Sequence, residues 1–109
     1  MPGWYELSRN DKGQYGFALK AGNGETILRS EQYESKSAAQ NGIASVQTNS
    51  PKAERYERKT AKDGRAYFVL KAGNHQVIGT SQMYASEAGC DNGITSVTTN
   101  GPSTDVRES

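Results

Sequence analysis

The chain repeats itself after 51 residues, and the two copies align without a gap. Of the 47 positions from Tyr5 to Pro51, 21 carry the same residue in the second copy. Unrelated sequences of ordinary composition agree at roughly 6% of positions, so the similarity indicates a tandem duplication. The two copies can be read as an alignment of two members, in which identical positions indicate what the shared fold requires.

The duplication predicts the domain organisation. We expect residues 1–109 to form a single compact domain, with a first repeat at 3–52 and a second at 54–103. Residues 104–109 are expected to form a short terminal strand and tail. A chain of 109 residues has the length of one ordinary domain and buries enough surface for one core.

Each copy begins with alternating apolar and polar residues, which predicts strands. A loop at 11–13 places Leu7 opposite Phe17 and Tyr5 opposite Leu19, so that all four lie on one face. Gly13 would supply the left-handed residue of this three-residue hairpin. The second copy repeats the pattern with Gly64, and its expected pairs are Tyr56 with Leu70 and Arg58 with Phe68.

A helix is predicted in each copy after Ser35 and Ser86, which are favourable N-cap residues. Asn49 and Asn100 are expected to end the helices in a left-handed conformation, shortly before prolines. The apolar stripes have helical spacing: Ala39, Gly42, Ile43 and Val46 in the first copy, and Cys90, Gly93, Ile94 and Val97 in the second.

Glycine lies in the middle of both buried stripes, where it costs about 0.5–1 kcal/mol relative to alanine. Because both copies keep it, we expect the helix backbone to approach an aromatic ring of the sheet closely, with Phe17 and Phe68 as the candidate rings. Gly42 and Gly93 would therefore leave the space that this close approach needs.

The chain resembles the YegP-like family of small bacterial proteins over essentially its whole length. The residues that carry the resemblance are Gly3–Leu7, Phe17–Glu25, Gly42–Val46 and Ser81–Tyr84. The resemblance implies an α+β fold of two β-β-β-α-β motifs joined into one sheet, with terminal strands exchanged between the copies. It also implies that single-copy relatives reach this arrangement as homodimers. The family is uncharacterised, so the resemblance implies no activity.

We therefore expect one antiparallel sheet with a pseudo-two-fold axis and both helices packed on one face. The opposite side, called the open face below, would meet solvent. The tail at 104–108 would add a strand to the other copy.

Composition excludes several classes of protein. With 13 basic and 12 acidic residues, the net charge of +1 argues against a dedicated duplex-DNA binder. Apolar runs such as Tyr67–Leu70 are far shorter than a membrane span. The first residues do not resemble a secretory signal, so we expect a cytoplasmic location. One cysteine and one histidine predict no internal disulfide, no zinc site and no cofactor. A monomer is expected, as a pseudo-dimer made by duplication.

Five residues form the candidate binding surface: Lys20, Asn23, Tyr67, Lys71 and Asn74. The Lys-Ala-Gly-Asn turns are identical in both copies, which is explained either by turn chemistry or by an anion site on backbone amides assisted by lysine. Tyr67 and Val69 are expected to make a small exposed apolar patch on the open face. Glu6 and Glu57 are expected to pair there with the two lysines.

Cys90 and His75 have simpler interpretations, as a small core residue and an exposed loop residue. A nucleophilic thiol would need a base or a positive field nearby. The sequence therefore favours a non-catalytic module that binds a protein or a small ligand. One alternative is single-stranded nucleic-acid binding on the open sheet face, where a tyrosine could stack on a base. A small enzyme is the second alternative, with no candidate catalytic or metal residues.

Overall fold

Seven strands and two helices follow one another in the order that the duplication predicts. The structure, a computed structural model, describes residues 3–108. The first repeat contains β1 (Trp4–Arg9), β2 (Tyr15–Lys20), β3 (Thr26–Arg29) and α1 (Lys36–Asn49). After a short 3₁₀ turn (Ala53–Arg55), the second contains β4 (Tyr56–Thr60), β5 (Ala66–Lys71), β6 (Val77–Thr80) and α2 (Glu87–Asn100), and β7 (Val106–Glu108) follows.

All seven strands form one sheet in the order β4-β5-β6-β3-β2-β1-β7. The pseudo-two-fold axis passes between β3 and β6, where Arg29 pairs with its own equivalent, Thr80. The six repeat strands are antiparallel, as expected. β7 instead runs parallel to β1, so the sheet is mixed rather than wholly antiparallel. The difference arises because the chain crosses the sheet through α2 before it returns as β7.

The exchange of terminal strands occurs in one direction only. The backbone N–H of Tyr5 in β1 donates to the carbonyl of Asp105, just before β7. The equivalent N–H of Tyr56 donates to Ala53 in the 3₁₀ turn. The first repeat leads directly into β4 after α1, so it has no residues left for a strand like β7.

The predicted strand registers are confirmed. Leu7 pairs with Phe17, and Tyr5 pairs with Leu19. The second repeat has the expected pairs at the equivalent positions. Gly13 and Gly64 have φ angles of 80° and 88°, as the three-residue loop requires.

The two Ala-Gly-Asn turns share one conformation although their next residues differ. Gly24 has a φ of 87° in the first repeat, and His75 has a φ of 70° in the second. Positive φ is uncommon outside glycine, and histidine is among the side chains that tolerate it better. His75 therefore adopts a backbone shape that glycine adopts freely in the first copy.

Both helices begin as predicted, and both end differently. The side chains of Ser35 and Ser86 accept hydrogen bonds from the N–H groups of Ala38 and Gly89. Asn49 and Asn100 are helical rather than left-handed, which corrects the predicted helix ends. The side-chain amide of each asparagine donates to a serine carbonyl one turn earlier, at 2.8 Å, and this bond favours the helical conformation.

Each helix is tied at its end to the other repeat. The hydroxyl of Tyr5 donates to the carbonyl of Gly101 after α2, at 2.6 Å. The hydroxyl of Tyr56 donates to the carbonyl of Ser50 after α1, at 2.7 Å. These bonds satisfy carbonyls that the helix itself leaves unpaired. The two repeats therefore share one core on the helix side of the sheet.

The mid-helix glycines approach aromatic rings, as expected. A Cβ at Gly42 would lie 2.9 Å from Phe17, and one at Gly93 would lie 3.0 Å from Phe68. Tyr33 and Tyr84 stack on these phenylalanines with centroids 6.3 Å apart, and they approach the glycines still more closely. The glycines therefore leave room for an aromatic pair in each repeat.

Candidate functional site

The five residues of the predicted surface lie on opposite sides of the sheet. Lys20, Tyr67 and Lys71 are on the open face, as the strand registers require. Asn23 and Asn74 lie on the helix side, in two clefts described below. The structure thus does not bring these residues together into one surface.

The open face has fewer free groups than the sequence predicts. Lys71 forms an ion pair with Glu57 at 2.9 Å, but Lys20 donates to the hydroxyl of Thr26 instead of pairing with a carboxylate. Val69 is only 4% exposed, so the apolar patch predicted for it and Tyr67 is wrong. A valine between two paired strands is covered by the longer side chains beside it on the same face.

Cys90 and His75 lie where the simpler interpretations place them. Cys90 is 1% exposed in the core, and burial raises the pKa of its thiol. A thiol with a raised pKa carries little of the reactive thiolate at neutral pH. His75 is exposed at the tip of its turn.

Two equivalent clefts lie between the turn of one repeat and the helix of the other. The first cleft, of about 170 Å³, lies between the turn after β2 and the helix α2. The second cleft, of about 240 Å³, lies between the turn after β5 and the helix α1. Every residue that lines the first cleft has its repeat equivalent in the lining of the second.

Seven of these equivalent positions hold the same residue type in both clefts. The turn and its following strand contribute an alanine, an asparagine and an isoleucine to each cleft. The facing segment and helix contribute a tyrosine, an asparagine, a glycine and a serine. The shared polar residues are Asn23, Tyr84, Asn92 and Ser96 in the first cleft, and Asn74, Tyr33, Asn41 and Ser45 in the second.

The helix asparagines and serines of the clefts were absent from the predicted surface. A signal for them exists in the sequence: Asn41 and Ser45 are identical in the second copy although neither caps a helix nor closes a turn. Within residues 3–108, the side-chain amides of Asn41 and Asn92 make no hydrogen bond to another residue, so they are available to a ligand.

The other polar groups of the clefts are partly engaged. Asn23 and Asn74 each accept the backbone N–H two residues later, at 3.0 Å, and keep their amide hydrogens free of that bond. Burial raises the pKa of the Tyr33 and Tyr84 hydroxyls, so both remain neutral donors at ordinary pH. Beside apolar residues, the clefts therefore offer amides and neutral hydroxyls together with one glutamate each, Glu25 in the first and Glu31 in the second.

Among residues 3–108, no three histidine, cysteine, aspartate or glutamate side chains are placed to hold a metal ion together. In the same part of the chain, neither helix is long and apolar enough to cross a membrane.

Comparison with known proteins identifies the fold. A family model described as a domain of unknown function, DUF1508, matches residues 10–57 and 61–108. The UPF0339 protein YegP of Escherichia coli K12 is 58% identical over 108 residues, which cover 99% of this chain and 98% of YegP. A UPF0339 protein of Shewanella oneidensis is 59% identical, with the same coverage of both chains.

Two solved structures have the same architecture. The solution NMR structure of YegP from E. coli, a protein of unknown function, matches with a TM-score of 0.93 over 99% of this chain and 93% of that one. The NMR structure of the Shewanella oneidensis protein also gives 0.93, over 99% and 92% of the two chains. The domain model matches twice, the relatives are 58–59% identical over nearly the whole chain, and the fold is shared. The chain therefore belongs to the DUF1508 family of YegP-like bacterial proteins.

Proposed function

We propose that the protein is a non-catalytic binding module whose ligand occupies the two clefts between the repeats. The observation that carries this proposal is that the same types of polar residue line both clefts. Each cleft has one wall from the first repeat and one from the second. More than half of the aligned positions have diverged between the copies. Retention of free asparagine amides at Asn41 and Asn92 is not required by caps or turns, and ligand binding explains it.

The groups in the clefts favour binding over catalysis. General acid–base and nucleophilic catalysis need paired groups with matched proton affinities. Here the tyrosine hydroxyls have raised pKa values, and the remaining shared polar groups are amides and serine hydroxyls. The serine hydroxyls accept weak hydrogen bonds of 3.3 and 3.2 Å from the amides of Asn49 and Asn100, rather than facing a base.

The proposal is tested by amide NMR. Isotope-labelled protein is titrated with the nucleic-acid, metabolite and protein fractions of a bacterial lysate, kept separate. We expect signals of both clefts to shift with one fraction. Asn92→Ala should remove the response of the first cleft only, and Asn41→Ala that of the second only. Shifts that avoid both clefts, or that survive both variants together, would contradict the proposal.

The open face supports a second candidate, the binding of single-stranded nucleic acid. The registers place more cations than carboxylates there: Lys20, Arg29, Lys59, Lys71 and Arg107, against Glu6 and Glu57. Three of the cations form ion pairs, Lys59 and Lys71 with Glu57 and Arg107 with Asp105, so Lys20 and Arg29 are the two without a carboxylate partner among residues 3–108. Tyr67 lies beside them as a partly exposed aromatic. A basic face with an aromatic platform is typical of sequence-tolerant binding to single strands.

A decameric oligouridylate distinguishes the two candidates. If this candidate is right, the oligonucleotide shifts signals of the open face, and raising the salt from 20 to 200 mM weakens binding strongly because phosphate contacts release counterions. Arg29→Ala should reduce the effect. No response of the open face at low salt would overturn the nucleic-acid candidate and leave the clefts unaffected.

A further inference from the structure

The two repeats differ at two positions near the clefts, and together these differences leave each cleft with the same number of carboxylates. Position 25 is glutamate in the first repeat, and its equivalent, Gln76, is glutamine. Position 31 is also glutamate, and its equivalent, Gln82, is again glutamine. Glu25 lines the first cleft, and Glu31 and Gln76 line the second, so each cleft has one glutamate. The chain has thus diverged in sequence while each cleft keeps a single carboxylate.

The carboxylate of the first cleft is held in place across the repeats. The side-chain amide of Gln82 donates to Glu25 at 3.1 Å. Tyr84 lines the same cleft, and burial raises the pKa of its hydroxyl, with a smaller contribution from the charge of Glu25. In the second cleft, Glu31 affects Tyr33 in the same way. A negative charge therefore lies beside a neutral hydroxyl in both clefts.

No positive side chain lines either cleft within residues 3–108. A phosphate or carboxylate ligand would meet a carboxylate there with no cation to offset the repulsion. The free amides of Asn92 and Asn41 match peptide-like amides or hydroxyl groups of a ligand. Volumes of about 170 and 240 Å³ lie below the roughly 300–1,000 Å³ of sites for drug-sized ligands. Each cleft is thus suited to one side chain or an equally small molecule.

We propose that each cleft binds a primary ammonium group carried on a short chain beside an amide, with Glu25 in the first cleft and Glu31 in the second as the counter-charge. This inference rests on the proposed function, since it names the chemical class of the ligand. The ammonium donates to the carboxylate, and the helix asparagine pairs with the adjacent amide. A lysine side chain of a protein and a free small amine both carry this ammonium chemistry.

The test uses NMR titrations with three probes that separate the ammonium group from the amides. Nα-acetyl-lysine methylamide carries the ammonium group and the amides. Nα,Nε-diacetyl-lysine methylamide keeps these amides and replaces the ammonium group by a neutral acetamide, and n-pentylamine has the charge but no amide. We expect the first probe to shift the side-chain amide signals of Asn92 and Asn41, and the neutral probe to leave them unchanged. Tighter binding of the lysine derivative than of pentylamine assigns the ligand to peptides, and equal binding assigns it to free amines.

Two variants make each cleft the control for the other. Glu25→Gln should weaken binding in the first cleft about three- to fivefold, as expected for a partly exposed ion pair, and leave the second unchanged. Glu31→Gln should do the reverse. Both substitutions install the residue that the other repeat already carries at that position, so the fold should tolerate them.

Two results would overturn the ammonium class. Equal shifts from the charged and neutral lysine derivatives would show that binding does not require the positive charge, although the clefts would remain binding sites. An absence of cleft shifts with all three probes would reject this ligand class, and the lysate titration then decides separately whether the clefts bind anything.

Discussion

Gly93 determines how closely α2 approaches the sheet. An added Cβ would lie 2.6 Å from Cζ of Tyr84 and 3.0 Å from Cε2 of Phe68, a side chain that is fully buried. Alanine is the better helix former, so without this contact the substitution would stabilise the protein by about 0.5–1 kcal/mol. We expect Gly93→Ala instead to lower the free energy of unfolding by about 1–3 kcal/mol, because overpacking outweighs propensity. Urea denaturation measures the change.

Gly89 in the same helix provides the control. A Cβ there would meet Tyr84 at 3.4 Å, an ordinary contact distance. Gly89→Ala should therefore be neutral or stabilising. If both variants stabilise the protein equally, the close approach at Gly93 does not limit the packing. Since Tyr84 also lines the first cleft, Gly93→Ala should in addition shift the NMR signals of that cleft.

At the scale of elements, β3 and β6 meet through two unequal residues at equivalent positions. Leu28 in β3 is nearly fully buried, and its equivalent in β6 is Gly79. A Cβ at Gly79 would lie 2.7 Å from Cγ of Leu28. Near a two-fold axis, one large and one small residue fill the space that two equal residues would overfill or leave empty.

A double-mutant cycle tests this complementarity. Gly79→Ala should cost about 1–3 kcal/mol in the natural background. Leu28→Ala should cost about 2–5 kcal/mol through the cavity it leaves. Once Leu28 is shortened, Gly79→Ala should cost little, because its Cβ then enters that cavity. The expected coupling is at least about 1 kcal/mol, measured by urea denaturation, and additive effects would contradict the idea.

The sequence predicts the elements well because their causes are local. Strand registers follow from residue parity in a hairpin, and the helix starts follow from Ser35 and Ser86. The helix ends were mispredicted because the side chain of Asn49 bonds one turn back, which a left-handed preference does not anticipate. The clefts were missed because their walls, such as Asn23 and Asn92, come from different repeats, and only the sheet order brings them together.

At the scale of the whole molecule, the two repeats pack against each other like the two unlike subunits of a dimer, although they belong to one chain. Each helix end is bonded to the first strand of the other repeat, and β7, which follows the second repeat, pairs with β1 of the first. A fragment of residues 1–52 and one of residues 53–109 should therefore each lack part of its packing surface. We expect neither fragment to form the native core alone, and an equimolar mixture to recover it.

The axis residues further predict which fragments pair. Two first repeats would place Leu28 against Leu28, which overpacks the axis, and two second repeats would place Gly79 against Gly79, which leaves a void. Two first repeats also lack β7, which pairs with β1 in the native sheet. The 1:1 complex should therefore dominate native mass spectra of the mixture, well beyond the half that random pairing gives. Exchange of the two residues, with Leu28→Gly in one fragment and Gly79→Leu in the other, should keep the preference, because the axis still holds one large and one small side chain. A random distribution would mean that the axis and β7 contribute too little to distinguish the repeats.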